Sequence, residues 1–185
     1  MNIGIIGYGQ MGKAIEKLAI QKGHNIIFII NSKNKKDLNK HNLSKIDVAI
    51  EFSNPNSAFN NIIFCMMNNT PVVSGTTGWT HQLTEAKKTC LNNMGTFLYA
   101  PNFSIGVNLF FEINNYVANL MIDKNYNIEI EEKHHKMKKD SPSGTAIKLV
   151  DDIKEITGHN NHIPVISKRI GALKGEHIIK YRSII

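Results

Sequence analysis

The run Gly7-Tyr8-Gly9-Gln10-Met11-Gly12 follows a short apolar segment, Asn2 to Ile6. It opens a stretch in which Met11, Ile15, Leu18 and Ala19 recur at helical spacing. A G-x-G-x-x-G triplet alone is weak evidence, but between a strand and a helix at the chain start it admits few folds. Gly7 permits the tight turn, Gly9 lets a pyrophosphate approach the backbone, and Gly12 lets helix and strand pack closely. The N–H groups at the helix start then face the phosphates. Gly23 ends the helix, and Asn25 to Ile30 is a continuous apolar run, as expected of a strand covered on both faces. The unit reads as β-α-β, with a purely structural glycine turn as the minority alternative.

Further strands are expected over Lys45 to Phe52, at Pro71-Val72-Val73 and over Thr96 to Tyr99. Helices are expected over Ala58 to Asn68, with Phe59, Ile62, Ile63, Met66 and Met67 buried, and over Leu83 to Asn93. Each strand ends in a small or polar cluster: Glu51 to Pro55, Ser74 to Gly78, Ala100 to Ser104. In an open α/β sheet that edge binds ligands, so the clusters should line one crevice. The second strand ends in Asn31-Ser32-Lys33-Asn34-Lys35-Lys36 where an acid for the adenosine ribose is usual. Asn31 can bond a ribose hydroxyl and the lysines can meet a 2′-phosphate, so both NADH and NADPH are candidates; a solvated loop explains the lysines equally well. Beyond Ser104 the pattern changes to a long apolar helix, Gly106 to Ile122, a strand over Asn127 to Glu131, a helix from the Pro142-Ser143-Gly144-Thr145 turn, and strands at Val165 to Ile170 and His177 to Tyr181. The reading is a dinucleotide-binding domain over 1–105 and a substrate domain over 106–185.

The stretch Glu131 to Ala146 packs His134, His135, four lysines and a Pro-Ser-Gly-Thr turn into sixteen residues. No core needs that mixture. Imidazole titrates near neutrality and ammonium groups hold anions, so the stretch suits a small, multiply negative molecule that exchanges a proton. Neighbours on an extended segment face opposite ways, so one histidine should point at the ligand and the other pack or bind at its margin. Lysines nearby should depress the imidazole pKa, while Glu131 or Glu132 should offset this. The chain carries +7 at pH 7, yet only Arg169 and Arg182 are arginine, which disfavours a nucleic-acid partner. With 28 isoleucines and 23 asparagines, part of the lysine excess reads as compositional drift. Cys65 and Cys90 lack metal or disulfide spacing, and a His-His metal site lacks a third ligand at suitable spacing. Trp79 and Met66-Met67 read as packing, and His24, His41, His81, His159 and His162 as isolated surface residues. No apolar run approaches a membrane span and no signal peptide is evident, so a cytoplasmic protein is expected.

Taken together, five ordered motifs resemble the 4-hydroxy-tetrahydrodipicolinate (dihydrodipicolinate) reductase family. They are Gly7 to Gly12, Asp47 to Pro55, Gly75-Thr76-Thr77-Gly78, Ala100 to Asn108, and Glu132 through Ala146. Arg169-Ile170-Gly171 with Gly175-Glu176-His177 adds a sixth point of likeness. The resemblance implies a Rossmann-like parallel-sheet domain followed by an α+β mixed-sheet domain that builds a homotetramer, and an NADH- or NADPH-dependent reduction of a small cyclic dicarboxylate in lysine biosynthesis. It implies His134 as proton donor or acceptor, Lys138 as acid or carboxylate partner, and His135 with Gly144 and Thr145 as substrate contacts. Gly7, Tyr8, Gly9, Gln10, Met11 and Gly12, with Asn31, Gly75, Thr76, Thr77, Ala100, Pro101, Asn102 and Phe103, would hold the dinucleotide. The family pattern also implies further strands and a C-terminal helix after Ser183-Ile184-Ile185. Without them a remnant that binds dinucleotide but does not turn over is an alternative, as is another Rossmann oxidoreductase of a small acid.

Overall fold

The computed structural model describes residues 1–138, 140–158 and 162–183. His159, Ile184 and Ile185, on which some sequence readings fall, lie outside them. Two compact units follow one another, Met1–Pro101 and Asn102–Ile185.

The first unit contains β1 (Asn2–Ile6), α1 (Gln10–Gln21), β2 (Asn25–Ile30), α2 (Lys40–Leu43), β3 (Val48–Glu51), α3 (Pro55–Met67), β4 (Val72–Ser74), α4 (Leu83–Asn92) and β5 (Phe97–Tyr99). The strands form one parallel sheet in the order β2-β1-β3-β4-β5. Successive side chains of a strand face opposite ways, so both faces must be covered. Ile3, Ile5, Val48 and Ile50 pack with Ala19 and Ile15 of α1 on one face. On the other, Ile6, Ala49 and Val72 pack with Ala58, Ile62, Cys65 and Met66 of α3 and Ala86 of α4. β2 is an edge strand, and Asn25 and Ile27 are exposed, so its apolar run is only partly covered. Met67, expected on the buried side of α3, is 64% exposed because the inward stripe is Ala58, Ile62, Cys65 and Met66. The short α2 went unread in the sequence.

The second unit contains α5 (Ile105–Leu120), β6 (Tyr126–His134), α6 (Gly144–Thr157), β7 (Val165–Arg169) and β8 (Glu176–Ser183). β6 is central, parallel to β7 and antiparallel to β8. Ile130 packs with Phe111 and Ala118 of α5 and Ala146, Leu149 and Ile153 of α6. A Rossmann-like parallel sheet followed by a mixed sheet is the architecture the sequence led us to expect. The boundary of β6 is a correction: the strand expected to end at Glu131 goes on pairing through Glu132, Lys133 and His134.

Candidate active site

In the first unit the chemistry lies at the C-terminal edge of the sheet, beside β1 and β3, where the strand order reverses direction. Gly7 has φ +98° and its Cβ position lies 2.1 Å from the Phe52 carbonyl oxygen, so no other residue fits there. A Cβ on Gly12 would meet the Gly7 carbonyl oxygen at the same 2.1 Å. Gly9 differs: nothing lies within 4 Å of its Cβ position, so the backbone at the start of α1 faces open space. No acidic residue occupies the first turn of α1 and no side chain caps it, which leaves its N–H donors for an anion. A cavity of about 320 Å³ opens there, lined by Gly9, Gln10 and Met11, by Phe52 to Pro55, and by Gly75, Thr76 and Thr77. A larger open hollow of about 630 Å³ runs along α4, lined by His81, Lys88 and other polar residues with no convergent chemistry.

The wall formed by the β3 and β4 turns is held by one buried carboxylate. Glu51 accepts hydrogen bonds from the Ser53 N–H (3.1 Å), the Ser53 hydroxyl and the Ser74 hydroxyl (2.7 Å). The Ser53 N–H also reaches Thr76 Oγ1 (2.9 Å), and Trp79 Nε1 donates to the Thr76 carbonyl (2.7 Å). Trp79 is fully buried against Phe59, Phe97 and Tyr99, as a packing residue should be. Desolvation first, and then the Glu51 charge, push the Cys65 thiol up to about 12, so it is inert.

Of the residues expected to hold a dinucleotide, Gly9, Gln10, Met11, Gly75, Thr76 and Thr77 line this cavity. Gly7 and Gly12 shape the turn behind it, and Tyr8 donates its hydroxyl to Glu16. Asn31 Oδ1 accepts the Lys33 N–H (2.8 Å), while Lys33, Lys35 and Lys36 are exposed. Ala100 bonds back to the Ser74 carbonyl, next to Pro101 at the end of the unit. Asn102, preceding Phe103, turns its side chain onto the Ser104 N–H. Phe52 to Pro55 also line the cavity, in keeping with the strand-end cluster Glu51 to Pro55 expected to face a crevice, although none of them was singled out as a dinucleotide contact.

In the second unit the end of β6 brings Glu132 and His134 onto the face covered by helices, and Glu131 and Lys133 onto the opposite one. Glu132 is fully buried. Both its oxygens accept the Ser143 N–H (3.2 and 3.1 Å), and Oε1 accepts Arg169 Nη2 (3.2 Å). Its Oε2 lies 3.6 Å from His134 Nδ1 and 3.7 Å from His177 Nε2. Burial opposes ionisation of Glu132, but hydrogen bonds from Ser143, Ser167 and Arg169 outweigh it and hold the carboxyl at about 2. His134 is pulled below the usual imidazole range, first by burial and then by Lys138 and Arg169, with Glu132 and Asp140 opposing. His177 is lowered by burial and by His134, whose ring meets its own edge-on at 5.0 Å.

Ser143 caps α6 by accepting the Ala146 N–H, and its hydroxyl lies 3.2 Å from His177 Nε2. Gly144 has open space around it, and Thr145 is half-buried. Lys138 pairs with Asp140 at 2.8 Å, and His135 is half-buried just past the strand end. The imidazole beside His134 is therefore His177 rather than His135. Glu132, His134 and His177 bring possible ligand atoms within 4.8 Å of one another, which the spacing in the sequence did not reveal. The Arg169 guanidinium on the same carboxylate makes the cluster a poor seat for a cation.

The model of the N-terminal part of dihydrodipicolinate reductase matches residues 1–103, and that of its C-terminal part matches residues 106–184. The chain belongs to the dihydrodipicolinate reductase family. It is 41% identical to the 4-hydroxy-tetrahydrodipicolinate reductase of Christiangramia forsetii, the alignment covering 100% of this chain and 81% of that protein. To the enzyme of the same name from Staphylococcus haemolyticus it is 33% identical over 98% of this chain and 82% of the relative. A solved dihydrodipicolinate reductase from Paenisporosarcina sp. TG-14, described as dipicolinate-bound, superposes with a TM-score of 0.75 at 26% identity, covering 98% of this chain and 83% of that one. In dihydrodipicolinate reductase terms, the open glycine turn lies in the N-terminal part and the imidazole cluster in the C-terminal part.

Proposed function

We propose that the chain reduces 4-hydroxy-tetrahydrodipicolinate to tetrahydrodipicolinate with NADH or NADPH, on the diaminopimelate route to lysine, with His134 supplying the proton. The observation that carries this reading is one buried carboxylate, Glu132, that stands 3.6 Å from His134 Nδ1 and accepts the Ser143 N–H at the start of α6. Family membership across both units supports it, and a remnant that binds without turning over is not favoured.

The open backbone at Gly9, the acid-free start of α1 and the adjoining cavity suit a dinucleotide. Gly9 to Met11 would hold its pyrophosphate, with Ser53 to Pro55 and Gly75 to Thr77 along the remainder. When bound, the nicotinamide supplies a hydride; departure of the substrate hydroxyl as water and uptake of one proton complete the balance.

The chain's own residues do the rest. Gly144 and Thr145 open α6, where N–H groups have no intrahelical acceptor, the Ser143 N–H being taken by Glu132. They receive one substrate carboxylate, with Thr145 Oγ1 beside them. Lys138 and His135 receive the other, Lys138 exchanging the exposed Asp140 for it. Before substrate arrives, burial keeps His134 largely neutral near pH 7. A dianion arriving beside it favours the imidazolium, so the proton is loaded when it can be used.

A cytoplasmic location and a homotetramer built on the mixed sheet belong to the same reading; light scattering measures the latter. Among the described residues no helix is long and apolar enough to cross a membrane. Turnover is tested by following NAD(P)H absorbance with enzymatically generated substrate. Substrate-dependent consumption that dipicolinate inhibits competitively is expected. Absence of consumption with either nucleotide would overturn the proposal.

A further inference from the structure

We propose that Glu132 is a positioning residue: its buried carboxylate sets the tautomer and orientation of His134 and couples that ring to the anion-binding start of α6. The inference rests on the role proposed above for His134.

A fully buried carboxylate persists only when its oxygens are satisfied. Here the partners come from three other elements. Ser143 is the N-cap of α6, Arg169 ends β7 and His177 lies on β8. His134 follows two residues along β6, on the same face. Its Nδ1 is buried without a hydrogen-bond partner, and the carboxylate oxygen stands 3.6 Å away. An anion at that distance favours the proton on Nδ1 of the neutral ring. Nε2 is then left to exchange the catalytic proton. That nitrogen faces Gly175, where a Cβ would come within 3.2 Å. The charged and titratable groups around the ring are Glu132 and Asp140, which favour the imidazolium, and Lys138, Arg169 and His177, which oppose it. Glu132 is the largest favourable one, and it also fixes the Ser143 N–H. Any displacement of this carboxylate moves the proton donor and the carboxylate cradle together.

Two measurements test this. Imidazole ¹⁵N shifts of the wild-type protein should show His134 as the Nδ1–H tautomer when neutral; the Nε2–H tautomer would overturn the inference whether or not any variant folds. Glu132→Gln preserves shape and an acceptor for Ser143. It should lower kcat about 10-fold or more and move the basic limb of kcat/KM down by about one pH unit. His134→Asn serves as the reference and should abolish that limb. If the limb survives in His134→Asn, the assignment of the proton to His134 fails. If His134→Asn abolishes it while Glu132→Gln leaves limb and kcat unchanged, the assignment stands and the positioning role fails.

Discussion

At the scale of single residues, the crowding of His134, His135 and Lys138 into one short stretch of imidazoles and ammonium groups was visible in the sequence. Their organiser was not. Glu132 meets Arg169 from 37 positions away, and Ser143 meets His177 from 34, contacts that exist only after β6 pairs with its neighbours on both sides. The competition over the His134 pKa, left open by the sequence, resolves downward because burial adds to the cations. For a proton donor in the free enzyme, the basic limb of kcat/KM should therefore fall below 6.5, the ordinary imidazole value. A limb above it would contradict that sign. Gly175 is required twice, by φ +143° and by its approach to His134 Nε2. Gly175→Ala should cut kcat more than it raises KM, and equal KM and kcat effects on a fully folded protein would count against that placement.

Among the elements, β1 with α1 was the most readable, since each glycine of the triplet answers a separate steric or ligand demand. Gly12→Ala should cost about 1–3 kcal/mol, as overpacking does, and should weaken NADH binding measured by calorimetry. The end of β6 was placed three residues short, at Glu131, because the charged Glu132 and Lys133 break the apolar alternation. In the sheet they alternate: Glu131 bonds Lys168 (2.6 Å) and Lys180 (2.8 Å) on one face, while Glu132 enters the other. Hydrogen bonds from Lys168 and Lys180 hold the Glu131 carboxyl at about 2, and Glu132 sits at about 2 as well. Both lie below their ordinary 4.5, so their stabilisation is complete above that pH and drains as pH falls from 4.5 toward 2. The depressed imidazoles of His134 and His177 act in the same direction from 6.5 downward. Acid titration followed by amide exchange should open β6 and β8 over this range. Ser143→Ala, which removes the α6 cap, should cost about 1 kcal/mol and soften the same region.

For the whole molecule, the order of a nucleotide-type unit and a mixed-sheet unit could be read from the change in pattern near Ser104, since parallel strands with crossover helices give way to a long helix and an antiparallel pair. Net charge guided the choice of partner class, whereas its scatter over lysines gave no location for the site. The family match spans both units, which makes the chemistry of the second unit the decisive point. The most direct test is the pH profile of kcat/KM for NAD(P)H-dependent reduction of 4-hydroxy-tetrahydrodipicolinate by the wild type and by His134→Asn. The account predicts turnover with a basic limb in the wild type, and in the variant a loss of about 100-fold or more with the limb gone. Equal turnover and the same limb in both proteins would contradict it.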